Sequence, residues 1–221
     1  MLDAILFDFD GVIIDSEPVH LACFRQVLAQ RGIALKTEDY YSRYLGFDDH
    51  DCFAAVLADN ARRVDEGEIA AMTAEKTALV QRTFAESVTP LPGAIELMRA
   101  ARLAGVPLAI CSGALRHEIE QAGRTVGALD LVDVLVAAMD VVRGKPDPEG
   151  YLLAIKLLNV GHARPIAPAA TWVIEDSPAG IDAGHAAGCR VLAVTTSYPR
   201  DKLAAADRIV DSLAEVRLED L

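Results

Sequence analysis

The segment that most constrains the fold is a short apolar run that ends in two aspartates. Residues 4–15 read A-I-L-F-D-F-D-G-V-I-I-D. The run 4–7 predicts a strand buried on both faces, which places Asp8 at the carboxyl end of a central parallel strand, where open α/β sheets bind ligands. Asp8 and Asp10 repel each other unless a cation lies between them, or unless one is a nucleophile and the other a proton donor. An Asp-rich turn without chemistry is the alternative.

Two later segments place a hydroxyl and an ammonium after or beside predicted strands. The apolar run 106–111 ends in Ser112 and Gly113, which suits a phosphate oxygen bound by the hydroxyl and the following N–H groups, although Ser112 also suits a plain helix N-cap. Lys145 lies in G-K-P-D-P, on a loop stiffened by prolines. A solvated loop lysine is the alternative, and the rigid setting favours a positioned ammonium more than an ordinary loop does.

A second pair of acids follows the apolar run 171–174. Glu175 and Asp176 end this predicted strand, and a helix begins at Pro178, so that a helix cap is again the alternative. Because the carboxyl ends of parallel strands meet at one sheet edge, the four segments supply a nucleophile, an acid/base, a hydroxyl, a cation and metal-binding carboxylates in one place. Together they predict a phosphoryl-transfer site.

The four segments, in this order, resemble the haloacid dehalogenase (HAD) superfamily, and more narrowly its capped subgroup with phosphoglycolate phosphatases and β-phosphoglucomutase. The matching motifs are D-F-D-G-V-I-I-D-S-E at 8–17, C-S-G at 111–113, G-K-P-D-P at 144–148 and E-D-S-P-A-G-I-D-A-G-H-A-A-G at 175–188. True dehalogenases of the superfamily lack the second aspartate and the acidic pair. This chain has both, so dehalogenation is disfavoured.

The resemblance implies a role for each motif residue. Asp8 would be the nucleophile that forms an aspartyl phosphate, and Asp10 the general acid and base. Ser112 and Lys145 would hold the phosphoryl group. The implied Mg²⁺ ligands are Asp8, the Asp10 carbonyl, Asp176 and, directly or through water, Glu175.

Composition limits the partners. The chain has 21 Lys and Arg against 33 Asp and Glu, a net charge of −12, which speaks against nucleic acid and anionic membrane surfaces as partners. Attraction for a phosphate ester must therefore be local, from Mg²⁺ and Lys145, with Arg116 or Arg143 as further candidates. The N-terminal segment carries acids and no basic leader, which predicts a cytoplasmic protein. The four cysteines show no metal-binding spacing, and Cys111 and Cys189, in or beside apolar runs, are expected to be buried reduced thiols.

The order of predicted elements indicates two domains. Strands that alternate with helices of about ten residues predict an α/β fold with a doubly wound parallel sheet, formed by residues 1–16 and 88–221. Residues 17–87 read as helices only and are expected to form a small helical cap domain inserted into this HAD-like core. The predicted cap helices are 18–31, 37 to about 46, 48–60 and 66–86, and the predicted later strands are 106–111, 134–137, 171–175, 190–194 and 208–210. Two linkers, near 15–17 and 87–92, suit hinge opening and closure.

The leading functional hypothesis is a Mg²⁺-dependent phosphatase of a small phosphorylated metabolite. The runner-up is a sugar-phosphate mutase of the β-phosphoglucomutase type, which by resemblance needs an arginine in the cap turn. Here that turn carries acids, Asp48 and Asp49, and the mutase's Ser-Lys-Asn grip after Ser112 is missing. A HAD-like protein that binds without catalysis is the third hypothesis, disfavoured because the catalytic acids are present.

Five further residues are weaker substrate-binding candidates: Gly113, Arg116, His20, Asp48 and Asp49. If Asp48 and Asp49 face the site, they should reject a second phosphate, so that monophosphates are preferred over bisphosphates and Asp49→Arg reduces that preference. The alternative is that both acids only start the helix 48–60. Tyr151 is read as a core residue.

Overall fold

The computed structural model describes residues 2–45, 47–86, 88–160 and 164–221. Its contacts divide the chain into two compact units, Met1–Asp15 with Val88–Leu221, and Ser16–Ser87. Ser16 therefore groups with the helical unit, one residue earlier than the sequence-based boundary. The Ser16 carbonyl accepts the His20 N–H as the first helix begins, which ties this residue to the helix that follows.

The first unit is built on a six-stranded parallel sheet. The strands are β1 (Ala4–Phe7), β4 (Leu108–Cys111), β5 (Val134–Val136), β6 (Thr171–Glu175), β7 (Arg190–Val194) and β8 (Arg208–Val210). Their order across the sheet is β5-β4-β1-β6-β7-β8. The helices are α5 (Ala94–Leu103), α6 (Arg116–Val126), α7 (Glu149–Leu158) and α8 (Pro178–Ala186). The predicted α/β class with a parallel sheet is confirmed.

The strand order reverses at β1, which positions the site. Every residue of β1 is fully buried, as expected for a central strand covered on both faces. On one side of β1 lie β4 and β5, and on the other side lie β6, β7 and β8. In an open α/β sheet, ligands bind at the carboxyl ends of the strands beside such a reversal.

A two-stranded ribbon was not predicted. β2 (Ile14–Asp15) pairs antiparallel with β3 (Thr89–Pro90). The two chain segments next to the domain boundaries therefore pair with each other. Two-residue strands leave no period in the sequence, and their pairing is distant along the chain. β4 also begins two residues later than predicted, after Pro107, which has no N–H to donate.

The second unit is helical. Its elements are α1 (Glu17–Ala29), α2 (Thr37–Asp39) with a π-helical continuation (Tyr40–Tyr44), α3 (Asp49–Asp59) and α4 (Glu66–Glu86). In the apolar core of this unit, Phe24 of α1 packs edge-on against Phe53 of α3, with the ring centroids 4.9 Å apart. The predicted end of the second helix at Gly46 lies outside the described residues. Among the described residues, no helix combines the length and apolar character needed to span a membrane.

Candidate active site

Three carboxylates converge where β1 and β6 end. Asp8 follows β1, and Glu175 and Asp176 lie at and just beyond the end of β6, the neighbouring parallel strand. The pairing of Phe7 with Ile174 brings the strand ends level, and the Asp8 N–H donates to the Ile174 carbonyl over 2.9 Å. One oxygen from each acid lies within 4.8 Å of the others, and all three residues are buried.

Lys145 joins two of these acids. Its Nζ lies 2.8 Å from Asp8 Oδ1 and 2.6 Å from Glu175 Oε1. The loop before it is fixed by the first residue of α7, since both Glu149 oxygens accept backbone N–H groups, from Val142 and Arg143, at 3.0 Å. Lys145 is therefore a positioned ammonium rather than a solvated surface lysine.

Burial dominates the electrostatics of Asp8. The pKa of Asp8 is raised from 3.8 to about 7, chiefly by burial; Lys145 opposes the rise, and Glu175 and Asp10 add to it. Burial, Asp8 and Glu175 likewise raise the pKa of Asp176 well above its ordinary value. Each carboxylate is costly to ionise without a compensating cation.

The pKa of Glu175 is shifted in the opposite direction from the pKa values of Asp8 and Asp176. Burial alone would raise its pKa, but the contacts with Lys145, Tyr151 and Ser177 lower it below its ordinary value. Its Oε1 accepts from Tyr151 at 2.7 Å, and its Oε2 accepts from the Ser177 hydroxyl at 3.0 Å and from the N–H groups of Asp176 and Ser177. Both oxygens are therefore already used within the protein, with α8 so close that a Cβ at Gly180 would meet the carboxylate at 1.8 Å.

Asp176 is held by a loop that sequence reasoning did not single out. The Ser197 hydroxyl donates to Asp176 Oδ2, and the neighbouring Thr196 hydroxyl donates to the Gly11 carbonyl. Gly11 has φ = +70°, and a Cβ there would lie 1.9 Å from Asp176 Oδ2, so only glycine fits this turn without displacing the carboxylate. The signal available in the sequence was T-T-S at 195–197, directly after the strand 190–194.

Ser112 and Gly113 lie beside Lys145. They contribute to a cavity of about 240 Å³, together with Lys145 and Tyr151. The Ser112 hydroxyl accepts the N–H of Ala114 at 3.0 Å, which fixes its position at the end of β4. The structure thus brings together the hydroxyl, the backbone turn and the ammonium that the sequence assigned to phosphate.

The two additional arginines form local ion pairs. Arg116 donates to Asp140 at 2.6 Å and to the Leu135 carbonyl at 3.2 Å, which ties the start of α6 to the end of β5. Arg143 pairs with Asp147 at 3.1 Å on its own loop, and both residues line the same cavity as Ser112 and Lys145. The contribution of either guanidinium group to attracting the substrate stays a prediction.

The remaining candidates belong to the helical unit. Asp48 is the N-cap of α3 and accepts the Asp51 N–H at 2.8 Å, as in the helix-start alternative. Asp49 pairs with the buried Lys76 of α4, and Lys76 Nζ also lies 2.9 Å from His20 Nδ1. Burial, followed by Lys76, lowers the pKa of His20 to about 3, so its ring is neutral.

The cysteines of the chain are free and buried, which confirms the expectation for two of them, Cys111 and Cys189; the others are Cys23 and Cys52. Burial raises the pKa of Cys111 to about 12. A thiol with that pKa is neutral and a poor nucleophile at neutral pH.

Comparisons with known proteins agree with the site. Two curated relatives align over nearly the whole chain: Validoxylamine A 7'-phosphate phosphatase of Streptomyces hygroscopicus subsp. limoneus is 36% identical over 98% of this chain and 97% of its own, and Hexitol phosphatase A of Escherichia coli K12 is 34% identical over 96% and 91%. Among solved structures, CbbY from Rhodobacter sphaeroides in complex with phosphate superposes with a TM-score of 0.80 at 28% identity, covering 97% of this chain and 96% of that one. The model for haloacid dehalogenase-like hydrolases matches residues 2–188. With that match across both units and all four motifs, the chain belongs to the haloacid dehalogenase-like hydrolase family.

Proposed function

We propose that this protein hydrolyses the phosphate monoester of a sugar or sugar alcohol through an aspartyl-phosphate intermediate on Asp8. The protein is a phosphoric monoester hydrolase: this follows from its family and from relatives that are named phosphatases and that it matches over nearly their whole length. The observation that carries the proposed chemistry is the contact between Asp8 and the ammonium of Lys145, at the sheet edge where the acids converge. A nucleophilic carboxylate and a cation for the phosphoryl oxygens need this proximity.

The proposed steps balance with two aspartates and water. An Asp8 oxygen attacks phosphorus, the bond from phosphorus to the ester oxygen breaks, and Asp10 protonates the departing alkoxide. Asp10, now ionised, takes a proton from a water molecule that attacks the same phosphorus. The Asp8–phosphate bond breaks and inorganic phosphate leaves. Lys145 and Ser112 hold the phosphoryl oxygens during both steps.

The residues present fit a magnesium ion. Buried carboxylates with raised pKa values supply hard oxygen ligands and gain when a cation compensates their charge. Asp8, Asp176 and the Asp10 carbonyl would hold the ion. When bound, it would neutralise charge on the phosphoryl group.

We assign Glu175 to the support of Lys145 rather than to direct metal binding. Both of its oxygens accept hydrogen bonds from the protein, and its pKa is lowered where those of Asp8 and Asp176 are raised. Of the two roles that the sequence left open for Glu175, support of the metal through water agrees better with these contacts than direct ligation.

The substrate class is proposed from the relatives and from the helical unit, to which we assign substrate selection as a cap. One relative is named for a hexitol and the other for a specific 7'-phosphate. Asp49 neutralises the charge of Lys76, which leaves this pair a weak site for a second phosphate. We therefore keep monophosphates as the preferred substrates. The Asp49→Arg variant does not test this cleanly, because it would place a second cation beside the buried Lys76.

The test is phosphate release from a panel of hexitol, sugar, short-acid and nucleotide phosphates. We expect turnover of sugar or sugar-alcohol monophosphates with Mg²⁺, none in EDTA and recovery when Mg²⁺ is restored. Asp8→Asn, isolated free of wild-type enzyme, is the matched inactive control. Hydrolysis of no member of the panel would favour binding without catalysis. A preference for bisphosphates, with phosphate moved between positions, would favour the mutase.

A further inference from the structure

Tyr151 is buried in the apolar core of the α/β unit, yet its hydroxyl group reaches the candidate site. It lies in the first turn of α7 and is 1% exposed. Its hydroxyl donates to Glu175 Oε1 over 2.7 Å. A buried tyrosine hydroxyl needs an acceptor. Here the acceptor is an ionised carboxylate of the site and not a backbone carbonyl of the core.

The same carboxylate oxygen also contacts Lys145. Nζ of Lys145 lies 2.6 Å from Glu175 Oε1 and 2.8 Å from Asp8 Oδ1, and its distance to the centre of the Tyr151 ring is 5.3 Å. Tyr151 therefore interacts with the ammonium in two ways: its ring lies close to the ammonium, and its hydroxyl binds Glu175, which in turn contacts the ammonium. A cation over an aromatic ring at this distance is attracted to it.

Glu175 and a bound phosphoryl group would compete for Lys145. An isolated buried carboxylate draws a neighbouring ammonium strongly, because little else compensates its charge. Neutral donors stabilise such a carboxylate without cancelling the positive charge nearby. Ser177 and backbone N–H groups do this at Oε2. At Oε1, the oxygen that faces Lys145, the hydroxyl of Tyr151 does so.

We propose that Tyr151 is a positioning residue for phosphoryl transfer. Its hydroxyl satisfies Glu175 at the oxygen shared with Lys145, which leaves the ammonium placed toward Asp8 and available to the phosphoryl group. The inference rests on the proposed function, since it takes Lys145 as the group that holds the phosphoryl oxygens. It goes beyond that function by assigning a role to a core tyrosine through its contacts with Glu175 and Lys145.

The first test replaces Tyr151 with phenylalanine, which keeps the ring and removes the hydroxyl. We expect the affinity for inorganic phosphate, measured by calorimetry with Mg²⁺ present, to fall about tenfold, the scale of one hydrogen bond to a charged group. The value of kcat/KM should fall by a similar factor. Tyr198→Phe is the matched control, because Tyr198 packs against the same core cluster. Its phosphate affinity should stay within about twofold of wild type.

A double-mutant cycle separates positioning from packing. Glu175→Gln removes the negative charge that would capture Lys145, so adding Tyr151→Phe to it should change phosphate affinity by less than about twofold. An equal loss in both backgrounds, or an unchanged affinity in Tyr151→Phe alone, would overturn the inference. Phosphate binding does not require turnover. A wild-type protein that binds phosphate and hydrolyses no ester would therefore overturn the proposed function alone, whereas one that binds no phosphate would overturn both.

Discussion

At the scale of single residues, Asp8 links burial to chemistry. Burial raises its pKa to about 7, so without a metal the native protein retains a proton there that an exposed aspartate loses near pH 3.8. A group whose pKa is raised on folding contributes stability that is complete below the unfolded pKa and is lost as pH rises through the folded one. In the metal-free protein, the proton on Asp8 thus removes the charge that a bound cation would otherwise compensate.

A pH dependence of stability follows for the metal-free protein. Between pH 6 and pH 8 in EDTA, we expect the free energy of unfolding to fall by roughly 1 kcal/mol, as Asp8 loses its proton. Added Mg²⁺ should remove the decline, because the ion compensates the ionised carboxylates. Urea denaturation at several pH values measures both effects.

Asp8→Asn is the control for this prediction. An amide does not titrate in this range, so the decline between pH 6 and pH 8 should be smaller in the variant by roughly 1 kcal/mol. Groups that do not interact with Asp8, such as His50, whose pKa the contacts with Glu66 and Asp51 raise, titrate equally in both proteins and cancel in the difference. An identical decline in wild type and variant would assign the effect to those groups and not to Asp8.

Ser197 gives a second prediction at this scale. Its hydroxyl donates to Asp176, the buried acid that we propose as a metal ligand. Partners that orient metal ligands are typically worth about tenfold or more in metal affinity. We expect Ser197→Ala to weaken Mg²⁺ binding about tenfold in a calorimetric titration.

Thr195→Val is the matched control for Ser197→Ala. Thr195 lies on the same loop and donates to Asp211 on the protein surface. Removal of that exposed contact should leave Mg²⁺ affinity within about twofold of wild type. Equal weakening by the two substitutions would mean that the loop as a whole, and not the hydrogen bond to Asp176, governs metal binding.

At the scale of elements, a buried ion pair connects α3 and α4. Lys76 is fully buried, contacts Asp49, and lies 4.2 Å from the centre of the Phe24 ring. Removal of one partner from such a pair leaves the other charge unpaired in a poorly solvated environment. We expect Asp49→Asn to lower the free energy of unfolding by roughly 2 kcal/mol, less than for a fully buried pair because Asp49 is partly exposed.

Lys76→Met tests the cause of that loss. Methionine fills the space of lysine without a charge, so the double variant Asp49→Asn with Lys76→Met should regain most of the stability that the single variant loses. Thermal and urea unfolding of the four proteins measure the coupling. Additive losses would show that packing around each residue, and not the ion pair, sets the stability of this helix contact.

Several elements could be predicted to the residue because burial leaves a clear pattern. β1, β6 and β7 are apolar runs on parallel strands, and α4 is a long helix; each has the predicted bounds. The convergence of Asp8, Lys145 and Glu175 also followed from the sequence, since strand ends in a parallel sheet share one edge. For the strands the cause is a continuous apolar run that ends at a polar residue.

The rest depended on contacts between distant segments that leave no local pattern. The ribbon of β2 and β3 is two residues long on each side. Tyr151 was read as a core residue, and it is one, but nothing in its neighbours along the chain indicated a hydrogen bond to Glu175, 24 positions away. The roles of Ser197 and Lys76 were missed for the same reason.

At the scale of the whole molecule, net charge and local chemistry oppose each other. A protein of net charge −12 repels a phosphate ester at long range. We therefore propose that binding depends on charge supplied within the site, by Lys145 and by a metal that the buried acids at the ends of β1 and β6 would hold. Salt screens interactions between exposed charges more than those of buried charges, so the attraction within the site remains at physiological ionic strength.

The central claim is that Asp8 carries the phosphoryl group during turnover, and trapping that intermediate tests it most directly. Asp10→Asn slows release of the intermediate, and p-nitrophenyl phosphate needs little acid assistance to form it, so the two together should allow the intermediate to accumulate with Mg²⁺ present. Borohydride converts an aspartyl phosphate to homoserine, which mass spectrometry locates in the digested protein. The account predicts homoserine at position 8, and none when Asp8→Asn is added. Phosphate release by the wild-type enzyme with no homoserine at position 8, or with it at another acid, would contradict the account.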